Sequence, residues 1–395
     1  MSLFEKCQKM QDRAAPVKAA GLDPYFHPIS ETDHGTEVTI EGRRVVMIGS
    51  NNYLGLTHHP KVTEAAHKAI RDFGTGCSGS RFLNGTLELH HRLEARLAAF
   101  FGKEAALVFS TGFQTNLGAL STIAGKDDIV FCDRENHASI FDGCRLSFAA
   151  LKKYRHNDMD DLERLLREAP DGKPKLIVSD GIFSMLGDLV DLPRLKALAD
   201  RYDAKVLIDD AHSIGVIGQG GRGTASHFGL EVDLITGTFS KTLASLGGYL
   251  VGPREVVDHV KYTARAMIFS AAITPANAAA ALAALEVIET EPQHMQKLQE
   301  NVGHMRKGFR EIGFDVPDDP SAIIPVIIGG EDLDTFAAWR RIFDEGVYTN
   351  AVIPPAVPPG MGILRTSYMA SHTKEQLDRC LGVFEKVGQE LQRVP

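Results

Sequence analysis

Lys241 is the only cation in the run VDLITGTFSKTLASLGGYLVG, residues 232–252. The hydroxyls of Thr238 and Ser240 precede it, and a double glycine follows. Loss of hydration in such a setting disfavours the charged amine and makes it a better nucleophile. Other residues with usable chemistry share its position, just beyond a short apolar run. Thr111-Gly112-Phe113 follows ALVFS, His137 follows DIVFC, and Ser184 follows KLIVSDG. Asp209, Asp210 and His212 follow KVLI. Ligands of open α/β sheets bind beyond the carboxyl ends of the strands. One polar tip of this kind is ordinary loop chemistry, but five at one sheet edge describe a site.

The composition of that site points to what it holds. A carboxylate can pair with a protonated ring nitrogen, and hydroxyls with glycine N–H groups can hold a phosphate. An imidazole can lie on an aromatic ring, and a lysine can form an imine. Pyridoxal 5'-phosphate calls on all four. The bland alternatives are a surface lysine at 241 and satisfied core histidines at 137 and 212. Of the adjacent acids, Asp209 is expected to serve the ring, because strand alternation turns Asp210 away from it.

These residues need a frame. Short apolar runs, ALVFS, DIVFCD, KLIVSDG, AKVLIDDAH, VDLITGT and GGYLVG, alternate with amphipathic helical patterns such as DMDDLERLLREA and LPRLKALADRYD. Near-continuous apolar strands separated by helices predict an α/β domain whose mainly parallel sheet is covered on both faces. After IFSAAITPAN the pattern changes to long helices, a few short strands and a last amphipathic helix. The expected division is an N-terminal helix with short strands over 1–45, a large cofactor-binding domain over 46–278 and a smaller C-terminal α+β domain over 279–395.

The 395 residues carry a formal net charge of -8, with 44% hydrophobic and 24% charged residues and no Lys/Arg-rich block. Nothing there serves a phosphate backbone, so no nucleic-acid partner is expected. Cys7, Cys77, Cys132, Cys144 and Cys380 are odd in number and lack CxxC spacing, which argues against a disulfide framework or zinc knuckle. A reducing cytoplasm is the simplest setting. The N-terminal MSLFEKCQKMQDRAAPVKAAG has no apolar core of a signal peptide, and ANAAAALAALEVIE is short and ended by acids. No integral membrane segment is expected, with peripheral membrane contact left open.

The motifs GTFSK, IDDAHSIGVIG, NHASIFDG, SDGIFSMLGD and GTGCSGSRFLNGT resemble the α-oxoamine synthase family of fold-type I pyridoxal phosphate enzymes, and the similarity, with its motifs in fixed order, runs from about Tyr25 to the C-terminal helix. The resemblance implies an aminotransferase-like fold and a homodimer that condenses an amino acid with an acyl-CoA and releases carbon dioxide. The closer resemblance carried by SRFLNGT, AHS and GTFSKTLASLGG, within that family, implies L-serine and palmitoyl-CoA as the pair, giving 3-ketodihydrosphingosine. Glycine- or alanine-using members, the 2-amino-3-ketobutyrate CoA ligases and 8-amino-7-oxononanoate synthases, are the alternative. A catalytically silent binding subunit is disfavoured by the presence of Lys241, Asp209 and His137.

Carried over by residue, the resemblance implies that Lys241 holds the cofactor as an imine and later moves the α-proton. Asp209 would keep the ring nitrogen protonated, His212 would bond the phenolic oxygen, and His137 would stack on the ring, with Ser184 nearby. Gly112, Phe113, Thr238 and Ser240 would surround the phosphate, together with Ser270 and Ala271 of the partner subunit. Arg365 in GILRTSY would clamp the substrate carboxylate through its planar fork, with a solvated strand arginine as the plain alternative. Asn52 in GSNNYLG would contact substrate or cofactor, or serve only a turn. Ile353 stands where some relatives place a polar or basic residue, which puts a second carboxylate clamp in doubt.

Two signals are discounted. GTGCSG, residues 74–79, matches GxGxxG but follows the helical KVTEAAHKAIRDF rather than a strand, so it is no dinucleotide fingerprint. The pairs His58-His59 and His90-His91 are adjacent, and adjacent residues on a helix point apart. No metal is expected.

Overall fold

A computed structural model describes residues 3–394. In chain order its strands are β1 (Ile29–Asp33), β2 (Glu37–Ile40), β3 (Arg43–Met47), β4 (Ala105–Phe109), β5 (Ile129–Asp133), β6 (Ala150–Tyr154) and β7 (Lys175–Asp180). They continue as β8 (Lys205–Asp209), β9 (Leu234–Thr238), β10 (Gly248–Gly252), β11 (Ile323–Ile327), β12 (Val347–Tyr348), β13 (Asn350–Val352) and β14 (Ile363–Ser367). The chain forms two compact units. One comprises residues up to Asn51, Met185–Gly187 and everything from Lys297; the other comprises Asn52–Ser184 and Asp188–Gln296.

The larger unit is built on a seven-stranded sheet of order β4-β10-β9-β8-β7-β5-β6. Pairings β5–β6, β5–β7, β7–β8 and β8–β9 are parallel, and β10 runs antiparallel to both β4 and β9. All six apolar runs singled out in the sequence are strands of this sheet. β5, β9 and β10 are buried along their whole length, as expected where helices cover both faces. Leu107, Phe109, Val130, Cys132, Leu176, Val178, Leu207, Leu234 and Leu250 share one core with Leu120, Ile140 and Val260 from the helices. Burying each Leu, Ile or Val side chain is worth about 1.5–3 kcal/mol.

β6 is the strand the apolar pattern missed. Its sequence ALKKY is largely exposed, and it pairs only with β5 at the sheet edge. Lysines on an edge strand discourage pairing with another chain, so the residues that suit the position also hide it.

The same register brings acids together. Asp180 and Asp209 are the last residues of β7 and β8 and are directly paired in the parallel ladder. Helices leave the same edge. Gly112–Ile123 follows β4 with Thr111 as N-cap, its side chain accepting from Gln114 N, and Ala138–Ser147 follows β5 with His137 as N-cap.

The smaller unit holds a four-stranded sheet, β1-β2-β3-β12, and a three-stranded sheet, β11-β14-β13. Its helices include Lys374–Glu390, opened by a capping box between Thr373 and Gln376, which satisfies two otherwise orphaned N–H groups. Trp339 and Phe343 stack at 5.5 Å in its core. Among the described residues no helix is long and apolar enough to cross a membrane.

Candidate functional site

At the carboxyl edge of the seven-stranded sheet lies a cavity of about 240 Å³. Gly112, Phe113, His137, Ser184, Asp209, His212, Thr238, Ser240 and Lys241 all line it. Residues from five separated loops meet there because the parallel strands all end on the same side.

Lys241 Nζ lies 2.7 Å from His212 Nε2, and His212 Nδ1 lies 2.6 Å from the Tyr53 hydroxyl. With the Lys241 amine as the donor, Nε2 accepts and the ring proton sits on Nδ1, directed at the Tyr53 oxygen. The buried His212 is thereby oriented from one side and engaged with the lysine on the other.

Asp209 is 6% exposed. Asn116 Nδ2 donates to its Oδ2 at 2.6 Å and the Ala211 N–H to its Oδ1 at 3.0 Å. The same Asn116 Nδ2 reaches Ser139 Oγ at 3.0 Å, and Ser139 Oγ lies 2.7 Å from His137 Nδ1. A wall of four polar side chains thus holds the carboxylate and the imidazole in fixed relation. His137 has one part open to the cavity, yet burial among its other neighbours pushes its pKa down; Asp209 opposes that shift and Lys241 adds to it.

Asp210 has a different duty. It is fully buried, and its carboxylate accepts from Thr224 Oγ1 at 2.6 Å and from the Thr224 N–H at 3.2 Å. Burial raises its pKa to about 7, against the lowering effect of the Thr224 and Ser213 hydrogen bonds. Gly223 has φ +76, and a Cβ there would fall 2.2 Å from Asp210 Oδ2, so only glycine admits this packing. Asp210 ties the loop after β8 to the segment at 223–224.

At the start of the helix Gly112–Ile123, the N–H groups of Gly112 and Phe113 precede any intrahelical acceptor and carry the positive end of the helix dipole. A Cβ on Gly112 would lie 2.7 Å from Thr238 Cβ. Glycine therefore lets the helix start close against the end of β9, where Thr238 Oγ1 lies 2.8 Å from Ser240 Oγ. Two N–H groups and two hydroxyls in one corner form a set that suits an anion.

The remaining expected residues fall elsewhere. Ser270 Oγ accepts from Gln114 Nε2 at 3.0 Å and the Ala271 carbonyl accepts from Ser110 Oγ, so both sit beside the helix start without lining the cavity of this chain. Asn52 donates through Nδ2 to Thr57 Oγ1, and its carbonyl accepts from Gly55 N, which makes it a turn residue. Arg365 belongs to the smaller unit, on β14. It is 5% exposed and donates to Asn51 Oδ1 at 3.0 Å, which excludes the solvated strand arginine. GTGCSG does follow a helix, Pro60–Phe73, capped at Gly74.

Sequence reasoning missed Asn116, Ser139 and Asp180, which also line the cavity. Asp180 Oδ2 accepts from the His137 N–H at 3.1 Å, while its Oδ1 is buried with no hydrogen-bond partner among the described residues. Burial, then its neighbour Asp209, raises its pKa well above the carboxylate range. Its position as the last residue of a strand was a usable signal.

The aminotransferase class I and II family model matches residues 43–384. A serine palmitoyltransferase (SPT) of Sphingobacterium spiritivorum is 50% identical over 94% of this chain and 93% of its own length. An 8-amino-7-oxononanoate synthase 1 of Bacillus velezensis is 44% identical over 92% of this chain and 93% of its own. Among solved structures, SPT with PLP as internal aldimine superposes with a TM-score of 0.97 at 35% identity, covering 100% of both chains. On these matches the chain belongs to the class I and II aminotransferase family, in its α-oxoamine synthase branch.

Proposed function

We propose that this chain is a pyridoxal phosphate-dependent acyltransferase that condenses L-serine with palmitoyl-CoA to 3-ketodihydrosphingosine, CoA and carbon dioxide. The observation that carries the reading is the cavity at the sheet edge, where a lysine, a buried carboxylate, an exposed imidazole and an anion corner meet. The likeness to the SPT of Sphingobacterium spiritivorum supports serine and a long acyl chain. The 44% identity to an 8-amino-7-oxononanoate synthase favours the sister reaction less strongly.

The residues present fit the cofactor. Asp209, fixed by Asn116 and Ala211, would face the ring nitrogen, and His137 would lie on the ring. His212 would bond the phenolic oxygen, with Ser184 beside the ring, while Gly112, Phe113, Thr238 and Ser240 would hold the phosphate. When bound, the cofactor supplies an aldehyde for the amino group and a ring that withdraws electrons from Cα. Lys241 holds and then moves the α-proton, and the Tyr53–His212 pair positions its amine. Arg365 would bind the substrate carboxylate, and Asn52 would support the substrate side through its turn.

The protein works as a homodimer in which Ser270 and Ala271 of the partner subunit complete the phosphate corner, in the cytoplasm. If Arg365 serves the site of its own chain, a Lys241→Ala chain mixed with an Arg365→Ala chain should recover no activity; substantial recovered activity would place Arg365 across the subunit interface.

CoA release with serine or glycine, each with palmitoyl- or acetyl-CoA, tests the substrate pair. Serine with palmitoyl-CoA should be best, since each buried methylene adds about 0.8 kcal/mol. A site that hydrogen-bonds the hydroxymethyl group should also reject glycine. Glycine with acetyl-CoA as the best pair would overturn the reading.

A further inference from the structure

His59, Glu291 and His294 converge on the surface of the larger unit, away from the cavity residues. His59 is the N-cap of the helix Pro60–Phe73, Glu291 the C-cap of Pro275–Thr290, and His294 lies in the first turn of Gln293–Ile312. The first two helices pack along each other, which brings residues far apart in sequence to one place. Glu291 and His294 are three apart, so their side chains can share a face.

Glu291 Oε2 lies 3.4 Å from His59 Nε2 and 3.5 Å from His294 Nε2. One ligand atom from each of the three lies within 4.8 Å of the others. In a tetrahedral zinc centre, ligand bonds of about 2.0–2.1 Å put neighbouring ligand atoms about 3.3–3.4 Å apart. The two separations are long for charge-assisted hydrogen bonds, which run about 2.7–2.9 Å, and match a tetrahedral edge instead. His59 Nδ1 is buried with no hydrogen-bond partner among the described residues, so the ring's polar engagement is through Nε2. The three side chains keep 15%, 21% and 26% of their surface exposed, leaving room for water as a fourth ligand.

We propose that His59, Glu291 and His294 bind one borderline divalent cation of the zinc class, clamping the junction of three helices. Two imidazoles and one carboxylate suit such an ion, and an open fourth position at the surface makes it a staple separate from the reaction. Lys61 Nζ donates to Glu291 Oε1 at 2.8 Å, and Gln293 Nε2 approaches Oε2 at 3.4 Å. The Lys61 ammonium therefore competes with the metal for the same carboxylate.

The test uses the chelator-washed holoenzyme titrated with Co²⁺, followed by ligand-field absorption in the red, beyond the cofactor's own bands, and by displacement with Zn²⁺. One Co²⁺ per chain is expected. Affinity should fall at least about tenfold in His59→Ala and in His294→Ala. Turnover should be unchanged. Lys61→Met should bind tighter, a gain that misfolding cannot produce. Absence of the band in the wild type, a band unchanged in both histidine variants, or equal or weaker binding by Lys61→Met would overturn the proposal.

Discussion

Lys241 and His212 are joined at 2.7 Å, and the far side of the imidazole is held at 2.6 Å by Tyr53. The chain 53–212–241 makes the lysine's position depend on a residue that lines no part of the cavity. Tyr53→Phe should lower kcat by about 5–10-fold, the worth of one hydrogen bond of about 1–1.5 kcal/mol, while thermal stability stays close to wild type. Steady-state kinetics with a melting curve checks it; unchanged kcat would remove Tyr53 from the positioning role.

Lys241→Ala should abolish turnover and leave the fold intact, because it removes the amine but little core volume. Borohydride treatment of the wild-type holoenzyme should attach the cofactor at Lys241, read by peptide mass. Attachment at any other lysine would reassign the site.

Asp209→Asn and Asp210→Asn should separate cleanly. The first removes a charge from the cavity wall and should cost on the order of 100-fold or more in kcat/KM. The second replaces a carboxyl whose pKa is near 7 with a neutral isostere and should retain most activity. Asp210→Ala should instead destabilise the protein by about 1–3 kcal/mol for each Thr224 group left buried and unpaired. Denaturant melts beside kinetics would distinguish the two acids; equal activity losses in the two Asn variants would mean that Asp209 has no special part.

Gly112→Ala places a methyl 2.7 Å from Thr238 Cβ, so the helix start must move off the end of β9. Loss of a charge-assisted hydrogen bond of about 1.5–3 kcal/mol should weaken cofactor binding about 10–100-fold. Equilibrium dialysis of the cofactor is the measurement.

Two histidines should make stability pH-dependent with opposite sign. Burial alone would lower the pKa of His156, but hydrogen bonds to Asp133 and Asp188 raise it from 6.5 to about 10. The folded state holds that proton longer, so this stabilisation is full below pH 6.5 and is lost as pH rises toward 10. His90 is lowered to about 4 by burial, then by Arg81, while its Nδ1 accepts from the Leu87 N–H and its Nε2 donates to the Ile273 carbonyl. Here the unfolded chain binds the proton more readily, so stability falls as pH drops from 6.5 to 4. Unfolding free energies of His156→Asn and wild type, from denaturant melts, should differ by roughly 3 kcal/mol below about pH 6 and converge near about pH 10. A constant difference across that window would contradict the linkage.

The strands were legible where both faces are buried, because β4, β5, β7, β8, β9 and β10 each read as an apolar run. β6 was not, because its lysines face solvent at an edge. His137, Asp209, His212, Thr238, Ser240 and Lys241 were legible for the same reason as the strands: each sits where an apolar run ends, and parallel strands end together. Asn116 was hidden inside a helix, and Tyr53 lies 159 residues from the histidine it orients.

By itself the sequence determined the α/β frame, the sheet edge that carries the chemistry and the preference for Asp209 over Asp210, since all three follow from local periodicity. Only the tertiary structure decided the partners. Strand register pairs Asp180 with Asp209, glycine at 112 lets the helix start reach Thr238, and helix packing brings Glu291 to His59. Such contacts depend on close approach between segments distant in the chain, and no spacing along the sequence encodes a distance across it.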